Sequence, residues 1–148
     1  MDLRARSAKR EALPSDPSAV SAYFAALERE NPSHAPRFSS PWGSPQDVRE
    51  LAPGVWLVST ARHGGMALSP SRMQFVPDCL RETPYSKGGW FEEDADVYIP
   101  MLVFADVRAS FPGFDPALAL RALEYLKGDS LSNIRKPREA LEALARGL

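Results

Sequence analysis

The chain holds 148 residues, with 18 Lys+Arg against 19 Asp+Glu and a formal charge of −1. That length suits one domain of ~100–150 residues with room for an arm, and a composition of 44% hydrophobic and 25% charged residues describes a globular chain, not a disordered one. No apolar run nears the ~18–20 residues of a membrane span and no signal-peptide block opens the chain, while one cysteine (Cys79) and two histidines (His34, His63) exclude an internal disulfide, a multi-thiolate zinc site and a three-histidine metal centre.

These exclusions predict a cytoplasmic protein that needs no membrane, metal or cofactor. The charge is uneven: residues 81–115 carry three basic and seven acidic groups, between mildly basic ends. Residues 1–13 hold Arg4, Arg6, Lys9 and Arg10 among few apolar groups and read as a basic arm, followed by one domain over 14–148.

Asp16-Pro17 is an N-cap followed by proline at the first helical position, and Val20, Tyr23, Phe24 and Leu27 form one apolar stripe. The helix they predict spans 17–30, stopped by Asn31-Pro32. Four prolines make 31–45 an extended connection, and Ser44-Pro45 predicts a short helical turn through Leu51. After the Pro53-Gly54 turn, residues 55–60 read as a strand and Met66-Ala67-Leu68 as its hairpin partner. Ser69-Pro70 predicts a short helix over 70–76, and 77–89 a loop. The aromatic and aliphatic residues from Trp90 to Phe104 fit a helical face, so a helix is expected from about 91, interrupted near Pro100. Asp115-Pro116 begins another helix that Lys127-Gly128 ends, and a last one runs from Pro137. The predicted class is α+β, mainly helices packed around a small antiparallel hairpin or sheet.

Four local patterns stand out: Pro41-Trp42-Gly43, Arg62-His63-Gly64-Gly65, Leu68-Ser69-Pro70-Ser71-Arg72 and Gly88-Gly89-Trp90-Phe91-Glu92-Glu93-Asp94. Over about residues 40–107 their order and spacing resemble the DUF7007 family of small bacterial, phage and plasmid proteins. The resemblance implies no established activity and a setting in mobile genetic elements.

His63 sits in a glycine-flanked turn, where a scaffold presents functional side chains, and an imidazole changes charge near neutral pH. Its structural alternative is to hold the turn together. If 91–100 is helical, Glu92 and Asp96 share a face, an arrangement suited to proton transfer or to Mg²⁺ or Ca²⁺; alternatively, these acids only complement a helix dipole. No Gly-x-Ser-x-Gly elbow accompanies the serines near His63, and Cys79 has the surroundings of an inert thiol.

Three functions follow. The first is a mobile-element accessory protein that binds and blocks a host protein, such as a defence complex with a basic surface, through Trp90, Phe91, Glu92, Glu93 and Asp94. The second is a small enzyme using His63 with a carboxylate from Glu92 to Asp96. The third is a nucleic-acid accessory using Arg4, Arg6, Lys9 and Arg10, a weaker signal because no aromatic or glycine pattern accompanies those charges.

Overall fold

The computed structural model describes residues 13–82, 85–124 and 135–148. The arm residues Arg4, Arg6, Lys9 and Arg10 and the predicted stop at Lys127-Gly128 lie outside the described residues. Helix α1 (Pro17–Glu30) starts as expected, with the Asp16 carboxylate accepting from the Ala19 amide at 2.9 Å, and ends where the Asn31 N–H donates to Leu27 O. It buries Val20 and Phe24.

An antiparallel sheet of strand order β1-β2-β3-β4 follows: β1 (Asp47–Ala52), β2 (Val55–Ser59), β3 (Gly64–Leu68) and β4 (Trp90–Glu92). The fold class is α+β, yet two of these strands correct the sequence reading. Residues 47–52 are a strand and not a helical turn, because the Pro53-Gly54 turn folds them back so that Val48 pairs with Val58 and Glu50 with Trp56. Gly54, at φ 78°, supplies the left-handed residue of that turn. Residues 90–92 are also a strand: Trp90, Phe91 and Glu92 pair with Ala67, Met66 and Gly65. Helix α3 (Tyr98–Val103) therefore begins later than predicted. Pro100 sits in its first turn, where a missing N–H breaks no helical hydrogen bond, and the interruption falls instead at the extended Phe104.

Between β3 and β4 lie α2 (Pro70–Met73), capped by Ser69, and two short 3₁₀ turns. Helices α4 (Ala105–Ala109), α5 (Pro116–Leu123) and α6 (Arg135–Ala145) complete the described chain. Alternation along the strands sorts the two sheet faces. Val55, Met66, Leu68 and Phe91 face the helices and join Phe24, Phe75, Ile99 and Phe104 in the main core. Trp56, Val58 and Ala67 face the other way, under Ala35 and Trp90.

One polar assembly lies inside the main core. The Arg72 guanidinium, with no solvent exposure, donates to both Asp106 carboxylate oxygens at 2.9 and 2.6 Å and from Nε to Pro53 O at 2.9 Å. The Ser21 hydroxyl donates to the same carboxylate at 2.8 Å, and the Phe24 ring covers the guanidinium at 3.8 Å. Nearby, Arg108 donates to the carbonyls of Met101 and Leu102 at the end of α3. Burial pushes its guanidinium pKa down, against the opposing pull of Asp106.

Removing one partner of a buried ion pair strands the other. Arg72→Met is expected to lower the unfolding free energy by about 3–5 kcal/mol in urea denaturation. Adding Asp106→Leu should recover part of that loss, and a single-variant loss below about 1 kcal/mol would contradict the structural role.

Candidate functional site

Three of the four conspicuous motifs meet on the outer sheet face and at the end of the sheet opposite the Pro53-Gly54 turn; the Leu68–Arg72 segment lies at the turn itself, where Arg72 donates to Pro53 O. Trp42 folds back from the extended connection to lie against β3. A Cβ placed on Gly65 would stand 2.5 Å from Trp42 Cη2 and 2.3 Å from the Phe91 carbonyl oxygen, so only glycine lets the indole approach this closely. The Trp42 ring meets Trp90 edge-on at 5.5 Å and Tyr85 at 5.6 Å.

The β2–β3 loop is shaped by Thr60, whose hydroxyl donates to His63 O at 2.7 Å and accepts from the Arg62 and His63 amides at 3.2 Å. This turn places His63 Nδ1 at 4.0 Å from Glu92 Oε1, with the two side chains 53% and 29% exposed. That separation is longer than a hydrogen bond. The Glu93 amide donates to Gly64 O and the Val97 amide to Glu92 O, which turns the chain from β4 towards α3.

The predicted residues are thereby divided. Glu92, Glu93 and Asp94 stand at the end of the sheet, with Glu93 and Asp94 exposed. Among the described residues, no arginine or lysine pairs with Glu93 or Asp94. Trp90 is half-buried on the outer face beside them. Phe91 does not join this surface: strand alternation turns it into the core with no exposure. Asp96 is also buried, within the fold's own contacts. It does not share a helical face with Glu92, since 90–92 is strand and 93–97 a turn. Among the described residues no three His, Cys, Asp or Glu side chains cluster to hold a metal.

Asp47 and Arg49 were not singled out by the sequence, although strand register carries Asp47 onto the row of Ser59 and Gly64 at this same end. Val48 alone alternates with them; Val48 and Leu51 stand three apart, a helical spacing that with Ser44-Pro45 masked the strand. Ser69 caps α2, accepting from the Arg72 amide at 3.2 Å, so its hydroxyl serves the backbone.

Gly65→Ala should displace Trp42 or bend β4, destabilising the fold by about 1–3 kcal/mol and shifting tryptophan emission. Gly113→Ala, where an added Cβ meets nothing within 4 Å, is the matched control and should leave both readouts nearly unchanged.

A family model described as a domain of unknown function (DUF7007) matches residues 35–139. No curated protein and no solved structure matches the chain. No described helix is long and apolar enough to cross a membrane.

Proposed function

The chain belongs to the DUF7007 family, and from that premise we propose that it is a binding protein whose acidic corner, Glu92, Glu93 and Asp94, occupies a basic surface on a protein of its host. The observation that carries this reading is the exposure of Glu93 and Asp94 on a turn held by sheet hydrogen bonds, with no arginine or lysine of the described chain neutralising them. Exposed carboxylates of this kind accelerate encounter and orient the partner. Trp90 at the edge of the corner supplies apolar contact area. The phage and plasmid setting implied by the family resemblance fits a cytoplasmic blocker of a host defence complex, whose nucleic-acid-facing surface would be basic.

A second reading is favoured by the His63–Glu92 approach at 4.0 Å, which places an imidazole beside a carboxylate as acid–base chemistry requires. Against it stands the exposure of both side chains, 53% for His63 and 29% for Glu92, which leaves the pair open to water. Binding is therefore the reading adopted.

The test is affinity capture from host lysate with the full chain and with a Glu92→Lys, Glu93→Lys, Asp94→Lys variant. The expected result is a partner identified by mass spectrometry that the variant fails to retain and that is lost as salt rises above about 0.3 M. His63→Ala should retain it. Equal capture by the charge-reversed protein defeats the proposal, and loss of biological effect in His63→Ala with capture intact transfers the function to the second reading.

A further inference from the structure

Beside the acidic corner, on the helix-facing side of the sheet, a cleft of about 410 Å³ opens between β1–β2 and α3. Its size lies within the range of natural ligand pockets. Leu57, Tyr98 and Phe111 are half-buried along its walls, and Met101 lies beneath them. They form an apolar channel at a place where the core reaches the surface.

The mouth is polar and its geometry follows from register. Asp47, Ser59 and Gly64 are direct neighbours across three strands and so point to one face. Strands lie ~4.8 Å apart, which puts the backbone positions of Asp47 and Gly64 roughly 10 Å from each other. Gly64 has no side chain, and its place is taken by Glu93: a Cβ there would lie 3.0 Å from Glu93 Oε2. Two carboxylates thus stand on either side of the mouth with the Ser59 hydroxyl between them. Arg49, two residues along β1 from Asp47, is the cationic lining residue among those described, and neither acid holds it in an ion pair.

We infer that this cleft receives one arginine side chain of the partner protein, an inference that rests on the docking reading above and specifies it. The aliphatic stem of an arginine matches the Leu57, Tyr98 and Phe111 walls. Its planar guanidinium presents N–H donors on more than one side, so it can bond carboxylates that face it from opposite sides of the mouth. Lysine offers a compact, strongly hydrated charge that reaches one carboxylate at a time, so the two-sided mouth selects arginine. Charge complementarity between two acids and one cation at the mouth determines the occupant.

The test uses the full chain and N-acetyl-arginine methylamide as the probe, followed by methyl and aromatic NMR. Saturable shifts are expected at Leu57, Met101 and Tyr98, stronger than with N-acetyl-lysine methylamide and absent with the neutral citrulline analogue. Asp47→Asn with Glu93→Gln should weaken binding about fivefold, and Arg49→Gln should strengthen it. Shifts spread over all surface acids, shifts equal with citrulline, or no shifts at those three residues overturn the proposal. Glu92 and Asp94 do not line the cleft. Capture lost in a Glu92→Lys, Asp94→Lys variant but unchanged in Asp47→Asn also overturns the cleft while leaving the docking reading intact. Cleft binding of the probe with capture insensitive to Glu92 and Asp94 removes the docking reading instead, and with it the partner as source of the arginine.

Discussion

The main core is arranged around a guanidinium that has no access to water. Arg72 joins α2 to α4 through Asp106, to α1 through the Ser21 hydroxyl on the same carboxylate, and to the β1–β2 turn through the Pro53 carbonyl. A buried ion pair is weak evidence for net stability, because desolvation offsets much of its Coulomb energy. Here its effect is better described as selection of one packing. Both carboxylate oxygens are used and aromatic rings lie at 3.8 and 4.8 Å from the guanidinium carbon, so few other arrangements of these elements satisfy the charge. The edge-to-face contacts of Phe24 with Phe75 and Phe104, at 5.3 and 5.4 Å, fill the space around it.

That constraint fixes one end of the sheet and has a consequence at the other. The Pro53-Gly54 turn is anchored by Arg72 from below and by the Ser69 amide, which donates to Gly54 O. The opposite end carries the His63 loop, Asp47 and the 92–94 acids, which are largely solvent-facing. Between them, Trp42 clamps the outer face against Gly65 and Trp90. The motif residues most visible in the chain are thus absorbed by packing: tryptophan on glycine, a serine cap, an internal arginine. The positions left for recognition are the polar neighbours that the same framework holds outward.

Legibility followed the range of the interactions. Helix α1 and the β2–β3 hairpin are written locally, in Asp16-Pro17, an apolar stripe and a glycine-bearing loop, and the sequence reading placed both. Strands β1 and β4 are not, since each exists only through pairing: Val48 needs Val58, and Phe91 needs Met66, which is 25 residues earlier in the numbering. The segment from Trp90 to Phe104 has helical periodicity throughout, yet three residues of it satisfy β3 first, and tertiary pairing overrides the local pattern. Arg72 was visible as part of a motif but its role was not, because Asp106 lies 34 residues away. The acidic corner was legible as composition; its division into exposed Glu93 and Asp94, and buried Phe91 and Asp96, required the strand.

In the proposed docking, the corner and the cleft would contribute by different physics. Exposed carboxylates act at a distance, are screened by salt, and mainly set encounter rate and orientation. A half-buried apolar channel acts only on contact and contributes by removing water from a side chain that enters it. Glu93 belongs to both, since its amide ties the start of the 92–97 turn to Gly64 O while its carboxylate stands over Gly64 at the cleft mouth. The neighbouring edge strand β1 carries charges at Asp47, Arg49 and Glu50 and a bulge between Glu50 and Ala52, features that disfavour edge-to-edge pairing. Those side chains rest on a sheet pinned at one end by Arg72 and clamped along its face by Trp42, so the proposed docking would need little further ordering of this surface and would carry a low entropic cost.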